Sequence, residues 1–361
     1  MPLDIPSRKQ YMQTLQGRGR KLLGVFPAQY PREILWALGL SPLEIWDPPL
    51  EVASAGAHLQ SYICPVVMQG LELVLNGGAA GVDGFLFPHT CDSVQNLASV
   101  VHDYLGLSLP CYFFYHPKAP YRASSRAYYR DQLAALAERL GELAGPLDPA
   151  RLAEAVAAGQ MLHALAGRFY ELRAAGRLAC SNREFYRMLR LAEYLEPGDL
   201  FPLWEEFLAT HQGEPAGGPA VILSGVLPNP VELLDLLDEP GVRVAHDDLL
   251  SMSRRLLAPP AQAADPWETL TATYLALPPC SSKNSPIAER LSWLRGLVQQ
   301  TGAKAVIFNL VKFCEPELFD VPQLVEGLKK DGLATLVMDG ELHQGLSGQM
   351  ATRVEALVEM L

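Results

Sequence analysis

The chain has 361 residues, of which 49% are hydrophobic and 19% charged, and a formal net charge of −11. That length predicts two or more domains, and the balance describes a well-buried globular chain, not a disordered one. The acidic excess argues against a broad nucleic-acid surface, and the lack of a long uninterrupted apolar run argues against a membrane span. The polar start, Met1 to Arg20, has no apolar signal core, so the cytoplasm is the expected compartment.

Residues 1–20 read as an N-terminal helical extension. A first α/β domain is expected over 21–123. Lys21 to Phe26 (KLLGVF) is a short buried strand that Pro27 ends, and Pro31-Arg32-Glu33 opens a helix that stops at Gly39. Leu43 to Trp46 is a second strand, and Tyr62 to Leu75 has apolar residues at helical spacing. Gly84 to Phe87 is a strand, Pro88 to Cys91 its following loop, and Asp92 or Ser93 a cap for a helix over Val94 to Tyr104. Leu109 to Tyr115 is a further strand. Residues 124–212 are rich in Ala, Leu, Arg and Glu at helical periodicity and read as a connector of three or four helices. Gly213 to Pro219 is the clearest linker. A second α/β domain is expected over 213–361, with strands at Ala220 to Ser224, Val242 to His246, Ala305 to Leu310 and Ala334 to Met338. Helices are expected from Pro230 to Leu237, Ile287 to Thr301 and Ser347 to Leu361. The fold class is therefore two parallel-sheet α/β domains of the Rossmann or flavodoxin kind, joined by a helical segment.

There are six cysteines, Cys64, Cys91, Cys111, Cys180, Cys280 and Cys314. In a reducing compartment each is a small buried hydrophobe or a ligand. Cys91 follows the strand GFLF and Cys314 the strand AVIFNL, and sites in open parallel sheets form outside the carboxyl ends of strands. Cys64 opens a helix, with Pro65 next to it, where the helix dipole favours a thiolate. A metal bound by all three would lie in the cleft between the two domains. No C-x-x-C pair occurs, so neither a zinc ribbon nor a bacterial ferredoxin is indicated.

Several segments carry a resemblance. They are Tyr62-Ile63-Cys64 before a helix, Asp83-Gly84 before a strand running to His89-Thr90-Cys91-Asp92-Ser93, and His246-Asp247-Asp248. Lys312-Phe313-Cys314-Glu315-Pro316-Glu317 and the tail Thr352-Arg353-Val354-Glu355-Ala356 complete the set. Together, over nearly the whole chain, they resemble the D-component of 2-hydroxyglutaryl-CoA dehydratase and the related benzoyl-CoA reductase subunits. The resemblance implies a [4Fe-4S] cluster ligated by Cys64, Cys91 and Cys314. It implies an acyl-CoA substrate, a homologous second subunit or a second copy of the chain, and an ATP-hydrolysing iron–sulfur activator that delivers single electrons. The implied reaction is one-electron reduction of the acyl-CoA thioester, leading to dehydration of a 2-hydroxyacyl group or to reduction of an aryl ring. The chain departs from the family pattern at Ser251-Met252-Ser253-Arg254, where Gly-x-Arg is usual, and at Met338-Asp339-Gly340-Glu341.

Three alternatives stay beside that one: a relay subunit that only passes electrons, a double-cubane [8Fe-9S] reductase of small molecules, and a cluster-free α/β scaffold whose cysteines are simply buried. Cys280, after Pro278-Pro279, is the additional ligand the second would need, whereas Cys111 and Cys180 read as buried core. His89 is a candidate to donate a proton or to hydrogen-bond the cluster, or it only holds its loop. Lys312 is set to stabilise a thiolate-bound cluster, to meet a CoA phosphate, or simply to be solvated. Glu33 reads as a first-turn acid, Arg353 as a partner of Glu355 or of a neighbouring domain, and the five tryptophans as core or interface.

Overall fold

The computed structural model describes residues 4–361 except 216, 262, 264 and 343. Residues 1–3 of the expected extension and residue 216 of the expected linker lie outside the described residues. The elements run α1 (Arg8–Gly17), β1 (Lys21–Val25), α2 (Arg32–Ala37), β2 (Leu40–Glu44), α3 (Pro65–Leu75), β3 (Gly84–Pro88), α4 (Asp92–Ser99) and β4 (Cys111–Phe114). Four helices follow, α5 (Ala123–Ala144), α6 (Pro149–Ala174), α7 (Asn182–Arg190) and α8 (Pro197–His211). The chain continues with β5 (Ala220–Gly225), α9 (Val231–Asp238), β6 (Arg243–Leu249), α10 (Ser253–Leu256), α11 (Pro266–Ala276) and α12 (Ile287–Thr301). It ends with β7 (Ala305–Val311), α13 (Glu315–Lys330), β8 (Ala334–Gly340) and α14 (Gly348–Val358).

The strands form two four-stranded sheets, in the orders β2-β1-β3-β4 and β6-β5-β7-β8. Every pairing is parallel. This is the expected α/β class with two Rossmann-like lobes. Two compact units contain them. The first is Met1–Ala164, Leu191–Leu203 and Ala258–Leu277; the second is Leu165–Arg190, Trp204–Leu257 and Pro278–Leu361. In the first, Leu23, Val25, Leu86 and Phe114 of the sheet pack with Ile34 and Leu35 of α2, Leu133, Leu136 and Leu140 of α5, and Leu270 and Tyr274 of α11. In the second, Ile222, Val306 and Phe308 pack with Leu294 and Leu297 of α12 and with Leu324 and Leu328 of α13.

Some boundaries move from their expected places. Strand β2 begins at Leu40, not Leu43, and carries Pro42. It is the edge strand of its sheet, paired only with β1, so a missing N–H is tolerated there. Helix α3 begins at Pro65, not Tyr62. Strand β6 runs on through Asp247 and Asp248 to Leu249. Both acids are completely or almost completely buried, and both are satisfied, so their polarity does not end the strand. Asp247 accepts from Tyr170 Oη at 2.6 Å and from the N–H groups of Leu249 and Ser253 at 3.1 Å, which shapes the turn into α10. The Arg353 guanidinium donates to the Val337 carbonyl at 2.7 Å, in place of the expected pairing with Glu355.

Asp248 belongs to a buried ion network. Arg254 Nη2 donates to Asp248 Oδ2 at 2.6 Å, and Arg254 Nη1 to Glu317. Arg290 lies 3.4 Å from Asp248, 3.3 Å from Glu317 and 2.7 Å from Asp320. Ser224 Oγ donates to Asp248 at 2.8 Å, and Ser281 Oγ to Glu317 at 2.5 Å. Two cations thus face three acids, and burial is tolerated because each charge is matched and hydrogen-bonded. The network fastens the first turn of α13, which carries Glu317, to the end of β6. Arg254 is the arginine of the departing Ser251-Met252-Ser253-Arg254 segment, so its charge sits in this network despite the changed spacing residues.

In the first unit α3 lies close against the strand-end residue Phe26. A Cβ added at Gly70 would come within 2.7 Å of Phe26 Cε1. Phe26 in turn stacks on Phe87, ring centroids 4.7 Å apart, and leans on Phe85 at 6.0 Å.

Gly70→Val should therefore lower stability by about 1–3 kcal/mol through overpacking; a denaturant midpoint equal to the parent's would contradict the close approach. Glu317→Gln should cost about 3–5 kcal/mol at neutral pH by leaving buried Arg254 with Asp248 alone and removing one of the acids on Arg290. Burial alone would raise the Glu317 pKa, but Arg254 and Arg290 hold it at about 2 against an ordinary 4.5. Its stabilisation is fully present above 4.5 and is lost as pH falls toward 2. The gap between parent and variant should narrow over that window in acid-titrated melts; a gap independent of pH would refute the assignment.

Candidate functional site

The three cysteines singled out from the sequence share one local geometry: each is the N-cap residue of a helix. Cys64 caps α3, Cys91 caps α4 and Cys314 caps α13. Here the cap is the cysteine itself and no side-chain capping bond is made, so Asp92 and Ser93 do not serve as caps. The first N–H groups of a helix have no intrahelical acceptor and carry partial positive charge, so a sulfur at this place is offered a thiolate's ideal counterpart.

Cys64 and Cys91 belong to the first unit. Cys64 is buried and Cys91 half-buried, and none of the six cysteines is in a disulfide. Burial pushes the Cys91 thiol up to about 11, opposed by the backbone N–H groups of Val94 and Ser93. A charge on Cys64 would raise it further. With its pKa raised this far, the metal-free Cys91 thiol keeps its proton at neutral pH, and a metal must displace it.

The loop before Cys91 is pinned at several points. His89 N donates to the Phe114 carbonyl at 2.8 Å. Thr90 Oγ1 donates to the Pro27 carbonyl at 2.7 Å, tying the ends of β3 and β1 together. Lys118 Nζ donates to the carbonyls of His89 at 3.0 Å and Thr90 at 3.1 Å. The His89 ring leans on Tyr115, centroids 5.4 Å apart. Burial, then the Lys118 charge, lower the His89 pKa, so the ring is neutral at neutral pH. Close by in sequence, Ala28 has φ of +97°, a left-handed backbone at a non-glycine residue. The neighbouring Gln29 is buried, with neither amide atom hydrogen-bonded within the protein. Strain and an unsatisfied buried amide at a strand end are both hallmarks of functional ground.

Cys314 belongs to the second unit. The residue before it, Phe313, has φ of +59°. This left-handed step turns the chain sharply from β7 into α13, and the Cys314 carbonyl then accepts from Glu317 N and Leu318 N. Lys312 pairs with Glu341 at 2.9 Å, so the Met338-Asp339-Gly340-Glu341 segment supplies its counter-ion.

The remaining cysteines sit elsewhere. Cys111 opens β4 at the strand's N-terminal end, its Sγ 3.9 Å from the Leu109 carbonyl. Cys180 lies 3.7 Å from Arg173 Nη1. Cys280 is fully buried, 3.1 Å from Ser282 Oγ and 3.8 Å from Arg254 Nη1, and so adjoins the ion network. Lys283 beside it is buried, and that burial brings its ammonium down to about 8. Glu33 is the first-turn acid expected of it, but it is buried, which raises its pKa.

Among the described residues no group of three or more His, Cys, Asp or Glu side chains converges as the ligands of one ion would. The cysteines thus form no preassembled mononuclear site. In kind, the donors suit an iron–sulfur cluster: thiols outside any disulfide, set at helix N-termini. Lys118 and Gln29 escaped the sequence reading, and Thr90 entered it only within the His89-to-Ser93 segment.

The family model described as 2-hydroxyglutaryl-CoA dehydratase, D-component, matches residues 27–361. The chain is similar to the beta subunit of (R)-2-hydroxyglutaryl-CoA dehydratase from Acidaminococcus fermentans, 26% identical over 98% of this chain and 96% of that one. It is similar to the (R)-phenyllactyl-CoA dehydratase beta subunit of Clostridium sporogenes, 23% identical over 98% and 95%. A subunit of benzoyl-CoA reductase from Thauera aromatica is 26% identical over 90% of this chain and 86% of that one. With the match extending over all but the first 26 residues, this chain belongs to the 2-hydroxyglutaryl-CoA dehydratase D-component family, which embraces acyl-CoA dehydratase and reductase subunits.

Proposed function

We propose that the chain is the iron–sulfur subunit of an acyl-CoA dehydratase or aryl-CoA reductase, with Cys64, Cys91 and Cys314 as thiolate ligands of one [4Fe-4S] cluster. The single observation that carries the assignment is the shared placement of those three cysteines at the N-caps of α-helices of eight residues or more; Cys280 caps only a single 3-10 turn, Ser281–Lys283, and Cys111 opens a strand. When bound, the cluster would supply a low-potential one-electron couple for reducing an acyl-CoA thioester. The electron donor would be a separate ATP-hydrolysing iron–sulfur protein, and the working assembly would include a homologous subunit or a second copy. Among the described residues, no helix is long and apolar enough to cross a membrane.

The protein's own contribution is local. The N–H groups at the head of α4 stabilise the Cys91 thiolate, and burial excludes water that would compete for an exposed metal. Phe313 sets the direction from which Cys314 enters α13. His89, neutral at working pH, is the candidate for passing a proton. A three-thiolate set leaves one iron without a protein ligand, as a catalytic metal requires.

Anaerobically purified or reconstituted protein should hold about four iron and four acid-labile sulfide per chain. About eight of each would favour the double-cubane alternative, with Cys280 then a ligand candidate, and none would overturn the catalytic reading. Cys64→Ala, Cys91→Ala and Cys314→Ala should each lose the cluster and the turnover of acyl-CoA. Cys111→Ala and Cys180→Ala should keep both. Full iron retention in all of the first three variants would refute the ligand set.

A further inference from the structure

Lys118 stands out from the other cations near the cysteines because of what it holds. Its ammonium lies 3.0 Å from the His89 carbonyl and 3.1 Å from the Thr90 carbonyl, the last two peptides before Cys91. A trans peptide is planar, with its C=O and N–H pointing in opposite directions. Fixing these two carbonyls therefore fixes the planes of the His89–Thr90 and Thr90–Cys91 peptides. The second plane sets where the Cys91 N–H and the Cys91 Cα lie. A third constraint, Thr90 Oγ1 on the Pro27 carbonyl, stops the loop from pivoting about the lysine. The pairing of β3 with β4, Pro88 opposite Phe114, brings the Lys118 segment alongside.

A cation is a demanding choice for this task, since a neutral donor could also reach a carbonyl. The lysine is partly buried, so its charge is only weakly screened.

We propose that Lys118 is a positioning residue for the metal site at Cys91, locking the two peptides that lead into the ligand and placing a positive charge on the carbonyl immediately before it. The inference rests on the reading that Cys91 is a cluster ligand. A nearby cation stabilises the more negative, reduced state of a cluster, so Lys118 raises its midpoint potential.

The test uses the full chain and the variants Lys118→Met, Lys118→Gln and Lys118→Arg. Each is loaded anaerobically with ferrous iron and sulfide, and two properties are followed: iron loss to a chelator and the midpoint potential in a redox titration. Amide hydrogen exchange over 88–95 is measured on the metal-free proteins. Lys118→Met should lose iron about 10–100-fold more readily, as outer-shell changes do. It should also have a lower midpoint potential and faster exchange over 88–95. Lys118→Arg should match the parent. Lys118→Gln, a donor without charge, should protect the amides while keeping the lowered potential. A Met variant equal to the parent in iron loss, potential and exchange would overturn the inference. If the Met variant does not accumulate as folded protein, the other two decide: equal potentials in Gln and Arg would overturn the electrostatic role. If the parent itself takes up no iron, the cluster reading falls, and exchange alone judges the clamp. Unchanged exchange in Lys118→Met would then overturn it, and faster exchange would uphold it.

Discussion

In a parallel sheet, every strand that is followed by a helix on its way to the next strand must release its chain at the carboxyl edge. The helix that follows then begins near that same edge with unpaired N–H groups. Strands β3 and β7 obey this constraint, and the helices they feed, α4 and α13, both begin on a cysteine. The chemistry available to the chain depends on it. Sulfur placed at a helix head meets a partial positive charge that needs no side chain to supply it. The same sulfur placed at the start of a strand, as Cys111 is in β4, meets no such field.

Around those helix heads the two units solve the problem of polarity in different ways. The first packs Phe26, Phe85 and Phe87 together, with Phe26 against α3, and sets one lysine on the backbone carbonyls that lead into Cys91. Apolar surroundings favour protonated thiols, as the raised Cys91 pKa records. The second unit stands its cysteine-bearing helix on a buried lattice of arginines and carboxylates. Such a lattice adds little net stability over apolar packing, but losing one member leaves a buried charge short of a partner.

The alternation of short apolar runs with amphipathic stretches made the two α/β units legible, and strand-end position made Cys91 and Cys314 legible. What stayed hidden depended on partners distant in sequence. Strand β6 runs past Asp247 and Asp248 because Tyr170, Ser224 and Arg254 satisfy them, and none of these is visible from local pattern. Helix α11 escaped notice in a stretch of prolines and alanines; its Leu270 and Tyr274 find their core against α5. Lys118 looked like any surface lysine, since only the fold brings it to the carbonyls of a loop some thirty residues earlier. The left-handed turn at Phe313 was equally silent, because phenylalanine is a poor advertisement for that conformation.

The ion network of the second unit also constrains how related sequences can diverge. Asp248, Arg254, Arg290 and Glu317 are sealed from water, and each arginine touches both acids. Any single replacement by a neutral residue passes through a chain with an unmatched buried charge. Drift at these four positions is therefore coupled: they persist together, or they are exchanged together for an apolar set, with few viable intermediates along the way.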